Sequence, residues 1–472
     1  MSRSHRYLAA AYLASDGLLR AVQMLSLPLL AMWMSTEDFG VFGTVRGASF
    51  LIAAVISSGL SAALVRHIPL DSEATWRERY RTVWLTQAAV AALLMLVLGS
   101  ATRISGGSEL FGVEMDEWLP TLVWGAFMGA CALDVAVLTF RRQVGAVTAL
   151  QWFGQAVPVL VALSLVATVS LTLVQMLWIF AVAALAQSVL QWWLYRHDRE
   201  GAPFSMSFAI QAVTYALPLV PHMLAQHLLV VADRFMLLGR LGESAAAEYS
   251  LSYLPATAVT VGCVAVTKAL SPQLCGLLPR LGSGESATVE RDIHAVCQSW
   301  FEVLVLGAAA AVVLCPLAVE LTTPAGYAQH PGVAAWLAAA TGLHGLYMLL
   351  SVPLFMEGRT LLLALASASA AMVNLILNFV LIDSWGIHGS ASATLAAYLS
   401  LVVTVAIMQS RCTTPLSIRV LLSVWPRLWP VVLIGSIMWV VNARLPAGLA
   451  NAIGFVSALF LVWLAFRRLR PA

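Results

Sequence analysis

Two arginines and one aspartate stand inside long apolar stretches near the start of the chain. Asp16 and Arg20 interrupt the apolar run 8–31, and Arg46 interrupts the apolar run 39–64. Asp16 and Arg20 are spaced i,i+4, so on a helix they share one face and can pair. Because a guanidinium group can bind two phosphate oxygens at once, this pattern suits recognition of an anion.

The depth of the two arginines follows from a helical rise of about 1.5 Å per residue. Arg20 comes about 18 Å after the start of the first run, and Arg46 about 10 Å after the start of the second. Both then lie near the middle of a hydrocarbon core about 30 Å thick, where an arginine is costly. We favour a cationic, water-filled cavity that receives an anionic substrate. The alternative is a structural Asp16–Arg20 pair, with Arg46 bonded to backbone carbonyls.

A second polar set lies in the apolar run 209–235. Pro218 and Pro221 interrupt this run, and Asp233 and Arg234 stand near its end. Proline frees backbone groups that neighbours or water must satisfy, which suits a bent, cavity-lining helix. Asp233 and Arg234 can form a local ion pair at the membrane interface, or a gate latch or ion site.

Two further acids, Asp134 and Glu302, stand in apolar runs within a few turns of the predicted cytoplasmic face. Either can carry a coupling proton or cation. Each can instead extend along its helix to the interface, and we expect this second arrangement for both.

The composition indicates a polytopic helical membrane protein. Of 472 residues, 60% are hydrophobic and 10% are charged, whereas soluble domains are about 25% charged. The apolar runs are close to the length of a spanning helix, not the shorter alternating segments of a β-barrel. Fourteen spans are predicted: 8–31, 39–64, 82–101, 118–140, 147–167, 171–194, 209–235, 247–270, 296–319, 333–355, 361–382, 389–409, 427–443 and 449–466.

The basic residues support this order of spans. With the N-terminus in the cytoplasm, twenty of the 26 Lys and Arg residues fall in cytoplasmic segments or at the cytoplasmic ends of spans, three fall in periplasmic segments and three fall deeper within spans. Because positively charged loops stay inside, the bias predicts that both termini are cytoplasmic.

The chain also shows a weak internal duplication. The bridge STEDFGVFG (35–43) between the first two spans resembles GESAAAEYS (242–250) between the seventh and eighth. Parallel repeats with a site between them are typical of transporters. We therefore predict a six-helix lobe over 1–200, a second six-helix lobe over 205–410, and two additional helices over 415–472.

No enzyme motif is present. The chain lacks a Walker A sequence, a GxSxG elbow and an HExxH pair, so neither nucleotide hydrolysis nor hydrolase chemistry is expected. The six cysteines show no metal-ligand spacing, so packing thiols are expected and a metal site is not.

Several stretches resemble one family. These are LPLLAMWMSTEDFGVFG (27–43), ADRFMLLGRLGESAAAEYSLSY (232–253), and the Asn374–Asn378 helix leading to WGIHGSA (385–391). They resemble polysaccharide and O-antigen flippases of the Wzx type, in the multidrug/oligosaccharide-lipid/polysaccharide exporter superfamily. Ser390 replaces an alanine usual in the family, and Glu248 stands where glycine often precedes the tyrosine.

The resemblance implies two lobes, alternating access and a cavity lined by the first two helices of each lobe, where Arg20, Arg46, Asp233 and Arg234 fall. It implies translocation of an undecaprenyl-pyrophosphate-linked oligosaccharide across the bacterial inner membrane for surface polysaccharide synthesis, without catalysis.

The expected partners are that lipid-linked substrate and the bilayer, with a polymerase and a chain-length regulator as further expectations and no nucleic acid. A H⁺ or Na⁺ gradient is the expected drive, with consumption of the product outside as the alternative. Rival interpretations are a lipid II flippase, a multidrug/cation antiporter of the same superfamily and, less favoured, a membrane glycosyltransferase or polymerase.

Overall fold

A computed structural model describes residues 18–65, 73–104, 109–110, 112–141, 143–217, 219–282, 286–327, 329–413 and 416. Helices dominate this part of the chain. They are α1 (Leu18–Ala31), α2 (Thr36–Val65), α3 (Glu73–Ile104), α4 (Met115–Phe140), α5 (Val144–Gln151), α6 (Val157–Val166), α7 (Leu173–Leu194), α8 (Met206–Ala216), α9 (Leu219–Leu241), α10 (Glu243–Leu277), α11 (Ser286–Thr322), α12 (Val333–Leu350), α13 (Val352–Met356) and α14 (Thr360–Gln409). A π-helical turn, Trp152–Ala156, joins α5 to α6.

These helices match the predicted spans. Among the described residues, nine helices are long and apolar enough to cross a membrane, and α8 with α9 forms a tenth candidate, bent by 45°. The second to twelfth predicted spans each coincide with described helix, and the first does so over Leu18–Ala31, whereas 8–17, 427–443 and 449–466 lie outside the described residues. The predicted fold class, an all-α polytopic membrane protein, is confirmed.

Helix α14 contains two spans. It is 50 residues long, about 75 Å at 1.5 Å per residue, more than twice the hydrocarbon thickness. The helix is interrupted at Gly386, which has φ 57° and ψ −135°. Because an L side chain is strained in that region, glycine suits the turn between the two spans.

Polar residues in the connections begin the helices. The Ser35 hydroxyl accepts a hydrogen bond from the Asp38 amide at 3.0 Å and thereby caps α2. Thr172 and Gln175 exchange two hydrogen bonds in a capping box at the start of α7. The boundaries of these spans are therefore encoded locally.

A short hairpin, which the sequence did not predict, lies between α3 and α4. Strand β1 (Glu109–Leu110) pairs antiparallel with β2 (Val113–Glu114), with Leu110 opposite Val113. Gly112 has φ 73° and allows the tight reversal.

The chain divides into two compact units, Met1–Ala247 and Glu248–Ala472. In the first unit α2 packs against α3, α4, α8 and α9. Helix α4 approaches α2 closely at Gly125, where a Cβ would lie 2.8 Å from Ile52 Cβ. Since membrane helices associate through small residues, this glycine favours the α2–α4 contact. The predicted lobe boundaries at 200–205 and 410–415 remain a prediction.

In the second unit α11 packs against α12, and α12 packs against α14. The fully buried Trp300 belongs to an apolar cluster with Cys263, Cys297, Leu304 and Leu349. This cluster explains the apolar character of the three helices α10, α11 and α12.

Candidate functional site

Arg46 lies on the part of α2 that packs against α9. Its neighbour Gly47 faces Val231 so closely that a Cβ there would lie 2.7 Å from Val231 Cγ1. Arg234 follows Val231 by about one turn, and its positive charge acts on Arg46. The Arg46 guanidinium also lies 5.4 Å from the centroid of the Phe50 ring. The structure therefore places two arginines from distant parts of the sequence in one region.

Asp233 and Arg234 occupy different environments. Asp233 is fully buried, whereas Arg234 is partly exposed and donates from Nη1 to the carbonyl of Val230. Successive residues of a helix do not face each other. Arg234 can therefore contact a ligand together with Arg46, although Asp233 is its neighbour in the sequence.

Arg20 is partly buried and lies in the first turn of the described part of α1. Asp16 lies outside the described residues, so the Asp16–Arg20 pair stays a prediction. One turn after Arg20, the side-chain amide of Gln23 donates to Gln155 Oε1 at 2.9 Å. Arg20 and Gln23 share a face of α1 because they are spaced i,i+3.

The Arg46–Arg234 region suits an anion with more than one negative charge. Two like charges repel one another in a low-dielectric environment, so a bound dianion would stabilise the arrangement. Guanidinium groups also provide paired donors for phosphate oxygens. The depth estimate from the sequence did not identify Arg234 as a neighbour of Arg46, because only the packing of α2 on α9 brings the two residues near each other.

In the second unit, oxygen-bearing side chains are buried around Asn374 and Asn378 of α14. Asn374 and Asn378 are fully buried. Asn374 Nδ2 donates to Thr394 Oγ1 at 3.4 Å, and that hydroxyl lies 3.2 Å from the Tyr249 hydroxyl. Asn374 Oδ1 and the Ser390 hydroxyl have no hydrogen-bond partner within the described part of the chain. These unsatisfied oxygens are suited to accept a cation or a water molecule.

Asp134 forms the centre of a buried network at the predicted cytoplasmic side. The Tyr80 hydroxyl donates to its carboxylate, and Arg199 Nη1 lies 3.7 Å from Asp134 Oδ1. With its amide oriented to satisfy its neighbours, Gln191 donates to Asp134 Oδ2 at 3.2 Å. The Arg199 guanidinium also lies 5.1 Å from the ring centroids of Tyr80 and Trp84.

Asp134 and Glu302, which the sequence analysis expects to extend to the membrane interface, are both buried inside the protein. Their exposed fractions are 3% and 6%. Asp134 is held by the network described above, and Glu302 accepts a hydrogen bond from Gln298 Nε2 at 3.0 Å. Polar partners inside the protein replace the water that each carboxylate would otherwise reach.

All six cysteines are free, and five of them are buried. Within the residues that the structure describes, no group of three or more His, Cys, Asp or Glu side chains could hold a metal ion.

Solved structures share this fold. A multidrug resistance MATE family transporter of the MOP superfamily, in an inward-facing conformation, has a TM-score of 0.66 at 12% identity, covering 83% of this chain and 94% of its own. The lipid II flippase MurJ, in an inward closed conformation, has a TM-score of 0.67 at 13% identity, covering 98% of this chain and 99% of its own. A MOP superfamily transporter from Pyrococcus furiosus has a TM-score of 0.59 at 12% identity, covering 86% and 94%.

This multi-pass helical fold is therefore shared with solved transporters of the MOP superfamily. Residues 9–276, more than half of the chain, match the family described as polysaccharide biosynthesis protein, and the chain belongs to this family. The resemblance to Wzx-type flippases is confirmed. No curated protein sequence matches the chain significantly.

Proposed function

We propose that the protein moves an undecaprenyl-pyrophosphate-linked oligosaccharide across the bacterial inner membrane by alternating access. The product would enter the synthesis of a surface polysaccharide such as O-antigen, capsule or exopolysaccharide. The membership of the polysaccharide biosynthesis family supports this function. The observation that carries it is the placement of Arg46 and Arg234 on α2 and α9 where these two helices pack together.

The chemistry of the substrate matches that placement. A pyrophosphate diester carries two negative charges, and two arginines can neutralise both through bidentate contacts. Arg20 on α1 supplies a third positive charge in the first unit. The polyprenyl chain would remain in lipid while the glycan crosses in a hydrated cavity.

We propose that a cation gradient drives the movement. The buried oxygens of Asn374, Asn378, Ser390 and Thr394 are neutral, and none of these side chains ionises between pH 5 and 8. They therefore favour Na⁺ over a proton at this position. Asp233, Asp134 and Glu302 remain alternative coupling groups, of which Asp134 is the least favoured because Arg199 already accompanies it.

The proposed partners are a polysaccharide polymerase and a chain-length regulator at the periplasmic face, with both termini in the cytoplasm. The charge bias of the loops supports this orientation. A multidrug/cation antiporter is less favoured because acids, not arginines, would attract cationic drugs. A lipid II flippase has the same headgroup chemistry and is the strongest alternative.

The test uses purified protein in proteoliposomes. Two probes, an undecaprenyl-pyrophosphate-linked oligosaccharide of the source bacterium and lipid II, are compared for transfer between leaflets under a Na⁺ gradient. We expect the undecaprenyl-pyrophosphate-linked oligosaccharide to transfer at least tenfold faster than lipid II. Replacing Na⁺ with K⁺ should remove the acceleration of transfer that the Na⁺ gradient provides. Preferential transfer of lipid II would overturn the assignment. A deletion strain should also accumulate lipid-linked repeat units inside the cell, and wild-type surface polysaccharide in that strain would contradict the proposal.

A further inference from the structure

A π-helical turn interrupts the fifth predicted span near its middle. Trp152–Ala156 form this turn between α5 and α6, and the Val157 amide bonds to the Trp152 carbonyl five residues earlier. Such turns are rare, add one residue to the helix, and frequently occur at functional sites. The extra residue rotates the side chains that follow it, so the direction of Gln155 depends on the turn.

Helix α7 supports the turn with a buried amide. Gln187, which is 7% exposed, donates from Nε2 to the Leu150 carbonyl at 3.0 Å. Its side chain lies directly against Gly154, where any Cβ would overlap with the amide. Glycine at 154 and glutamine at 187 therefore fit together and hold the turn in place.

The π turn presents Gln155 to α1. Gln23 Nε2 donates to Gln155 Oε1 at 2.9 Å, which leaves the Gln155 amide nitrogen and the Gln23 amide oxygen as groups with capacity for further bonds. Within the described residues neither of these two atoms has another hydrogen-bond partner. Unsatisfied amide groups are costly in hydrocarbon. Their position therefore favours a hydrated cavity or a polar ligand over lipid.

We infer that Gln23 and Gln155 form a sugar-binding amide pair beside Arg20, and this inference rests on the proposed function. Gln23 lies about 4.5 Å along the axis of α1 from Arg20, at 1.5 Å per residue. A sugar bonded directly to a pyrophosphate that Arg20 binds would lie within this distance, and so within reach of Gln23. The free amide donor of Gln155 and acceptor of Gln23 are complementary to the hydroxyl and acetamido groups of that sugar. Gln187 and Gly154 act as positioning residues, because they set the direction of Gln155.

The experiment compares two probes that differ only in the sugar. Undecaprenyl pyrophosphate and undecaprenyl-pyrophosphate-linked N-acetylglucosamine are titrated against the full-length protein in nanodiscs, with native mass spectrometry as the readout. We expect Gln155→Leu to weaken binding of the glycosylated probe about 5–10-fold, as for the loss of one or two hydrogen bonds. Binding of undecaprenyl pyrophosphate should weaken less than about twofold. Gln23→Leu should give the same selective loss, and Arg20→Ala should weaken both probes.

Gln143→Leu is the matched control, since Gln143 is exposed at the start of α5. This variant should bind both probes as the wild-type protein does. Gln155→Asn keeps the amide group but shortens its reach, so it tests the selective loss in a second variant with less change in polarity. Equal weakening of both probes by Gln155→Leu, or no weakening of either, would overturn the inference while Arg20→Ala still supports the pyrophosphate site. Failure of the wild-type protein to bind either probe would overturn the proposed function and the inference with it.

Discussion

The guanidinium of Arg199 lies 3.7 Å from the carboxylate of Asp134, and the side chains are 6% and 3% exposed. Arg199 belongs to the connection after α7, whereas Asp134 lies in α4. Arg199 also donates to the Gln191 carbonyl at 3.2 Å and to the Tyr195 carbonyl at 3.3 Å. The connection between the sixth and seventh spans is therefore anchored to the helix bundle through a buried charge.

Arg199→Ala should destabilise the protein by about 3–5 kcal/mol, because it leaves the buried Asp134 carboxylate without its positive partner. The double variant Asp134→Asn with Arg199→Gln should recover most of this loss. The measurement is the thermal unfolding of the detergent-solubilised protein, followed by size-exclusion fluorescence.

Arg196→Gln is the control for that experiment. Arg196 and Glu200 form an i,i+4 pair at 4.0 Å with side chains 34% and 60% exposed. Because an exposed pair of this kind contributes about 0.3–0.5 kcal/mol, unfolding should barely change. Similar losses of stability in Arg196→Gln and Arg199→Ala would contradict the prediction that the buried arginine stabilises the protein more than the exposed one.

Glu357 predicts a specific pH dependence of stability outside the membrane. The Thr413 hydroxyl donates to its carboxylate at 2.6 Å and Arg359 Nε lies at 2.8 Å. These contacts lower the pKa of Glu357. Since the folded state favours the ionised carboxylate, this stabilisation is complete above the unfolded pKa of about 4.3 and is lost as the pH falls through the lower folded pKa.

Glu357→Gln should therefore lower the unfolding temperature at pH 7, and the difference from wild type should disappear in acid. Thr413→Val, which removes the hydroxyl donor, should show a smaller difference in the same direction. Unfolding temperatures of the three proteins between pH 3 and pH 8 test this expectation. A difference that grows on acidification would contradict the assigned sign.

The sequence predicted the spans well because long apolar runs have one stable arrangement in a bilayer. The Gly386 turn was also accessible, since a glycine in the family motif breaks α14. The partners of the charged residues could not be predicted from the sequence. Asp134 pairs with Arg199 only because the connection after α7 folds back onto α4, and periodicity carries no information about that contact.

The candidate site shows the same limit. Arg46 was identified from its depth, and the family resemblance placed Arg234 on a cavity-lining helix, but the packing of α2 on α9 that brings the two together was not predicted. The π turn at Trp152–Ala156 has no periodic signature, and the available signals were a glutamine and a glycine inside an apolar run. Side chains that meet across distant helices depend on packing that local patterns do not specify.

Gly47 controls the distance between α2 and α9. Gly47→Ala should destabilise the protein by about 1–3 kcal/mol, because the new methyl group meets the stiff side chain of Val231. Val231→Ala in the same protein should restore most of the stability by providing space. Gly239→Ala is the control on α9, since no atom lies within 4 Å of a Cβ there. It should be neutral or slightly stabilising through helix propensity. Thermal unfolding and leaflet transfer of the oligosaccharide lipid are measured for all four proteins.

The placement of the like charges Arg46 and Arg234 on the packed helices α2 and α9 predicts that function and stability respond in opposite directions. Arg46→Gln and Arg234→Gln should each reduce oligosaccharide transfer at least about tenfold, since a charge-assisted contact contributes about 1.5–3 kcal/mol. Each substitution also removes a like-charge repulsion, so the unfolding temperature without substrate should stay constant or rise.

Arg46→Lys should retain part of the transfer, because an ammonium group attracts phosphate but cannot contact two oxygens in the planar guanidinium geometry. If the arginines only hold helices together, the unfolding temperature should fall in parallel with transfer in every variant. The measurements are thermal unfolding, protein abundance in the membrane and surface polysaccharide in a complemented deletion strain. Normal export by a stable Arg20→Ala, Arg46→Ala double variant would exclude a pyrophosphate site at these residues.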